Sequence, residues 1–88
     1  MSTMKAIVLE KEREIYCSQN VKCVTLPSES GEITVCPNHI AIVTLMKNGT
    51  IDITFEENGV DKHHSVEIKE GLFSFKNNEA VFLVKMPG

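Results

Sequence analysis

The chain has 88 residues, 42% of them hydrophobic and 24% charged, with a formal net charge of -3 at pH 7. That is one small domain, too apolar to stay disordered, able to bury roughly 60–65% of the surface it exposes unfolded. The negative balance gives no basic footprint for nucleic acid or an anionic membrane. The longest charge-free stretch, Ile33 to Met46, is broken by Pro37, Asn38 and His39 and is shorter than the roughly 18–20 apolar residues of a membrane span.

The N-terminus, Met1-Ser2-Thr3-Met4-Lys5, leads into only four apolar residues, Ala6 to Leu9, which does not make a signal peptide. From Lys5 to Tyr16 the run Glu10-Lys11-Glu12-Arg13-Glu14 is rich in helix formers, so a helix competes there. The apolar residues cluster at Ala6-Ile7-Val8-Leu9 and Ile15-Tyr16 without helical spacing, and the reading preferred is strand, charged turn, strand. A turn follows at Pro27-Ser28-Glu29-Ser30-Gly31, then Glu32 to Cys36 with Ile33 and Val35 on one side. Asn48-Gly49 and Asn58-Gly59 both predict hairpins, because each turn residue tolerates positive φ. Between them, Thr50 to Glu56 alternates cleanly, with Ile51, Ile53 and Phe55 together. His64 to Lys69 alternates likewise, Glu70-Gly71 reads as a turn, and Leu72 to Lys76 turns Phe73 and Phe75 the same way. After a turn at Lys76-Asn77-Asn78, the run Val81-Phe82-Leu83-Val84 reads as a strand buried on both faces. Short strands and turns recurring about every 8–12 residues predict an all-β fold, a small antiparallel β-sandwich forming a single domain over 1–88.

Few residues offer chemistry. Cys17, Cys23 and Cys36 are an odd set at no familiar spacing, which predicts reduced, buried thiols rather than a disulfide framework. Cys36 and His39 with the adjacent His63 and His64 are nitrogen and sulfur donors, but no paired C-x-x-C or H-x-x-x-H unit occurs, and neighbouring strand residues face opposite ways. No metal or cofactor is expected. A nucleophilic set of Cys36, His39 and Glu32 is conceivable in composition, yet nothing resembles a nucleophile elbow, and no glycine-rich phosphate loop is present. These patterns describe a non-catalytic binding or scaffolding domain.

Val24-Thr25-Leu26-Pro27, the acidic turn with Gly31-Glu32, and the short strand ending in Cys36-Pro37-Asn38-His39 resemble the N-terminal domain of the epsilon subunit of rotary ATP synthases. Gly49-Thr50-Ile51-Asp52-Ile53 and the series Glu70 to Val84 continue that resemblance in order, so it covers nearly the whole chain. Two motifs depart from the family pattern. Pro37-Asn38-His39-Ile40 stands where P-G-H-A is usual, with asparagine also tolerating positive φ, and Lys69-Glu70-Gly71 replaces a turn with two glycines.

The resemblance implies a β-sandwich in the foot of the central rotor stalk, without the C-terminal helical hairpin that the family usually adds. It implies a subunit that is not catalytic by itself and sits peripherally on the cytoplasmic side of the energy-coupling membrane, with no direct membrane insertion. Its partners would be the gamma subunit and the c-ring, which it would couple during proton-driven ATP synthesis. Carried over motif by motif, the interface residues implied are Gly31, Glu32, Pro37 and His39, with Glu29 and Ser30 beside them. The alternative on the residues alone is a free-standing β-sandwich interaction module with no enzymatic activity.

Overall fold

The computed structural model describes residues 3–88, so the first two residues of the N-terminal reading lie outside it. Eight strands and no helix make up the described residues: β1 (Met4–Glu10), β2 (Arg13–Ser28), β3 (Gly31–Val35), β4 (Ile42–Met46), β5 (Gly49–Glu57), β6 (Val60–Ile68), β7 (Glu70–Lys76) and β8 (Glu79–Lys85). The segment from Lys5 to Tyr16 is strand, turn and strand, as its apolar spacing predicts.

β2 organises the domain. Its first half pairs with β1 from Arg13 to Val21, and its second half pairs with β5 and β3. The first layer is therefore β4-β7-β8-β1 with the start of β2, and the second is β3-β2-β5-β6. A single pairing, Ser28 with Met46, joins the end of β2 to β4. Every ladder is antiparallel except β1–β8, which is parallel. The alternation of apolar residues reports which side faces inward and carries no information about strand direction, so this pair is not readable from the pattern.

The core fills the space between the layers. Phe73, Phe75 and Phe82 come from the first layer, and Leu26, Ile51 and Ile53 from the second, all at most 1% exposed. The Phe73 and Phe82 rings meet with centroids 4.9 Å apart, an aromatic contact within the range that adds to simple burial. Ile51, Ile53 and Phe55 point together as the alternation requires, and so do Phe73 and Phe75.

Three two-residue turns hold positive φ at both central positions: Lys11-Glu12, Asn58-Gly59 and Asn77-Asn78. That is the twist-matched geometry of tight hairpins, and asparagine and glycine adopt it cheaply. Lys11 (φ 50°) and Glu12 (φ 65°) do not have that freedom. Replacing them together by Asn-Gly is expected to stabilise the domain by about 1–2 kcal/mol, raising its melting temperature by roughly 4–8 °C for each kcal/mol. A circular dichroism melt that does not rise would show that the turn is held for another reason.

The structure corrects three turn and strand readings. Asn48-Gly49 makes no hairpin, because β4 pairs with β7 whereas β5 pairs with β2 and β6; the segment crosses between layers. Gly49 is demanded instead by close approach, since a Cβ there would lie 2.7 Å from the Pro27 Cβ. Gly71 is not in a turn but inside β7, with the corner at Lys69. β8 is buried on one face only: Phe82 and Val84 are inside, and Leu83 is 45% exposed.

Candidate functional site

The six residues implied as interface fall at the two ends of β3. Glu29 and Ser30 are the exposed two-residue turn between β2 and β3, and Gly31 (φ 118°) and Glu32 open the next strand. Ser28, buried at 2% exposure, fixes this turn. Its hydroxyl donates to the Gly31 carbonyl and accepts from the Ser30 amide. The turn is also docked on β4, with the Glu29 amide donating to the Leu45 carbonyl at 3.2 Å and the Lys47 amide to the Pro27 carbonyl at 2.9 Å. Glu32 stands exposed opposite Pro27.

Pro37 and His39 lie beyond the far end of β3, which spans roughly 3.3 Å per residue, so the structure does not bring them to Glu29–Glu32. Their loop turns at Asn38, with φ 68°. It is tied to the β7–β8 turn, where the Asn38 amide donates to Asn78 Oδ1 at 2.7 Å and Asn78 Nδ2 donates to Asn38 Oδ1 at 3.1 Å. Asparagine thus keeps the positive φ that the motif position needs and adds a side-chain clasp. His39 donates its amide to the Cys36 carbonyl, and its Nδ1 lies 2.8 Å from the Ile40 carbonyl, an arrangement that places the proton on Nδ1.

The two layers differ sharply on their outer faces. Across the first layer the ladders align Leu45, Leu72, Leu83 and Leu9 in one row, and Val43, Ser74, Val81 and Ile7 in the next. Val43 is 69% exposed and Leu45 52%. Glu29 of the β2–β3 turn, Lys11, Glu70 and Lys85 border the groove that these leucines line. Across the second layer the outer face is polar. Thr25 and Thr34 hydroxyls lie 3.1 Å apart, His63 Nδ1 lies 3.1 Å from the Thr54 hydroxyl and 3.3 Å from Asp52, and Ser65 donates to Asp52 at 3.2 Å. Isolated exposed apolar residues are ordinary, whereas aligned apolar rows on one face are a pattern common at interaction surfaces.

The cysteines differ from expectation. Cys17 and Cys36 are exposed and Cys23 is half-buried, because each sits on a strand face turned away from the core or at a strand end. Burial pushes the Cys23 thiol pKa up, and a hydrogen bond with Thr54 offsets part of that rise. His63 points outward, and His64 instead stacks on Tyr16 with centroids 3.9 Å apart, closing the edge between β6 and the start of β2. No group of three or more His, Cys, Asp or Glu side chains converges among the described residues. His39 Nδ1 faces a backbone carbonyl rather than the Glu32 carboxylate, so these residues are not arranged as a base and its orienting acid. No described helix is long and apolar enough to cross a membrane.

An eight-stranded sandwich with one polar and one apolar outer face is the class of domain that these observations define. The model of the family described as "ATP synthase, Delta/Epsilon chain, beta-sandwich domain" matches residues 3–86, and the chain belongs to that family. It is 34% identical over 85 residues to the ATP synthase epsilon chain of Nitratiruptor sp., covering 97% of this chain and 63% of the relative. To the chloroplastic epsilon chain of Pelargonium hortorum it is 33% identical over 81 residues, covering 92% and 58%. The chain thus spans a little under two thirds of the length of these curated relatives. A chain in the Euglena gracilis mitochondrial ATP synthase, solved as OSCP, F1 and c-ring, shares the fold with a TM-score of 0.79 at 18% identity, over 93% of this chain and 50% of that one. A chain in the central stalk and c-ring of the Tetrahymena thermophila enzyme gives 0.75 at 14%, over 96% and 64%.

The apolar face itself was outside the sequence-level interface set. A signal for it exists: Ile7-Val8-Leu9, Val43 to Met46 and Val81 to Val84 are weak in the alternation that a solvated outer face imposes. That signal marks two apolar faces without telling whether the second is covered by this chain.

Proposed function

We propose that the domain is a non-catalytic rotor-stalk element of an ATP synthase that docks on the gamma subunit and on the polar loops of the c-ring, locking one to the other during proton-driven ATP synthesis. The observation that carries this reading is the asymmetry of the sandwich. One layer presents polar groups bonded to each other, and the other presents aligned leucine and valine rows. A coupling domain needs two surfaces on a stiff body. The leucine face suits gamma, and the Glu29–Glu32 turn, rigidly held by Ser28 at the margin of that face, suits the ring. Pro37 and His39, at the other end of β3, extend the contact on the gamma side. The domain would work peripherally, on the cytoplasmic side of the energy-coupling membrane. Gamma then drives catalytic sites carried by other subunits.

Co-purification with the gamma subunit from the same source, followed by light scattering, tests the reading. A stable one-to-one complex is expected. Absence of a complex, with the strand signal intact by circular dichroism, would overturn gamma docking and leave a free-standing interaction module.

A separate prediction concerns the ring. Glu32→Lys is expected to weaken retention of the c-ring by assembled stalk severalfold while moving stability by no more than about 0.5 kcal/mol, the usual range for an exposed site. Equal losses of thermal stability and ring retention would show that Glu32 is structural.

A further inference from the structure

The β2–β3 ladder pairs Val24 with Val35 and Thr25 with Thr34. β3 ends at Val35, and that register carried one step further would set Cys23 opposite Cys36. Both cysteines lie two residues from the threonine pair, so the pleat turns them to the same outer face. The threonine hydroxyls, 3.1 Å apart, show that side chains on this face touch across the two strands. The two thiols are neighbours on that face, and Cys36 is among the groups that raise the Cys23 pKa. Directly opposed strand residues hold their Cβ atoms about 4.5–5.5 Å apart, and a disulfide needs about 3.5–4.5 Å. Closing that gap takes a movement of about 1 Å, and Cys36, where β3 gives way to the loop, is free of the core on its exposed side.

We propose that Cys23 and Cys36 are a redox-responsive dithiol, converted to a cross-strand disulfide by a low-molecular-weight disulfide such as oxidised glutathione. Exposed Cys36 reacts first. Its thiolate attacks one sulfur of the oxidant, forming a mixed disulfide and releasing one small thiol. Cys23 then gives up its proton and attacks the Cys36 sulfur, releasing the second small thiol. Two protein thiols are oxidised, one small disulfide is reduced to two thiols, and the electrons balance. The roles follow from placement: Cys23, half-buried and with its pKa pushed up by burial, is slow to meet the oxidant but adjacent to the mixed disulfide once that forms. The bond would fasten the end of β3 to β2 immediately before the Pro37–His39 loop. This inference stands independently of the rotor-stalk reading.

The test uses the full chain carrying Cys17→Ser, which removes the exposed third thiol on the part of β2 paired with β1. After incubation with oxidised glutathione, both remaining thiols are expected to be lost to alkylation. The intact mass should fall by two hydrogens with no retained glutathione. Cleavage after Glu29 and Glu32 should leave fragments still joined through sulfur until a reductant is added. Adding Cys23→Ser to this chain should trap a single glutathione adduct on Cys36. Persistent glutathione adducts on the Cys17→Ser chain, two thiols still open to alkylation, or disulfide-linked dimers in place of the internal bond would each overturn the proposal. A native circular dichroism spectrum for each variant excludes misfolding as the cause.

Discussion

Replacing Gly71 by alanine is expected to lower stability by about 3 kcal/mol, which for a domain of this size displaces the melting temperature by more than ~10 °C. β7 lies between β4 and β8, and Gly71 pairs with Met46 on one side and Val84 on the other. A Cβ there would collide with the backbone carbonyl oxygen of Leu83, and would stand 2.9 Å from Met46 Cε and 3.2 Å from Val84 Cα. The methionine tip can rotate away. The carbonyl and Cα belong to a strand laddered on both edges, to β7 and to β1, and cannot retreat without breaking those ladders. Gly49→Ala is the natural comparison, because its obstruction is only the Pro27 ring at 2.7 and 2.9 Å, and a smaller loss is expected. The measurement is a reversible thermal or urea unfolding curve. A Gly71→Ala melting temperature within about 2 °C of the parent would mean that β7 and β8 separate easily.

The second large effect is on binding. Changing Leu45 and Leu83 together to glutamine is expected to weaken the complex with gamma by about a hundredfold, the loss of a buried anchor cluster worth roughly 2–3 kcal/mol. Both side chains point away from the core, at 52% and 45% exposure, so the free domain should melt within a few degrees of the parent. Glutamine keeps nearly the same length and adds no charge to a groove already bordered by Lys11, Glu29, Glu70 and Lys85. Titration calorimetry or surface-capture affinity, set beside the melt, separates the outcomes. Unchanged affinity would remove the leucine face from the interface. Affinity and stability lost together would make the face part of the fold.

The sequence was most informative where the physics is local. Alternation at Ile51, Ile53 and Phe55, and at Phe73 and Phe75, named core residues because a pleated strand alternates whatever it pairs with. Asn58-Gly59 and Asn77-Asn78 are turns because their backbones tolerate positive φ. Asn48-Gly49 carries the same chemistry and makes no hairpin, since the partners of β4 and β5 are decided by contacts far along the chain. The site divides in the same way. Exposure of Glu29, Ser30, Glu32 and His39 followed from turn residues and polar alternation. The leucine row did not, because Leu9, Leu45, Leu72 and Leu83 sit on four strands and become neighbours only through register. The β2–β3 register, which leads towards Cys23 and Cys36, was hidden for the same reason, although both cysteines flank one hairpin.

β2 has a mechanical meaning beyond its place in the topology. In most sandwiches the two sheets adhere through side-chain packing alone, so a sideways load can make one glide over the other. Here one covalent strand belongs to both, bonded to β1 in its first half and to β5 and β3 in its second. Its pairing with β5 shifts register between Val21 and Cys23, where Lys22 reaches Asp61 at 3.0 Å and Glu56 at 3.6 Å. Gliding would require pulling apart the ladders on one half of this strand, so shear is expected to meet a single beam rather than two stacked plates.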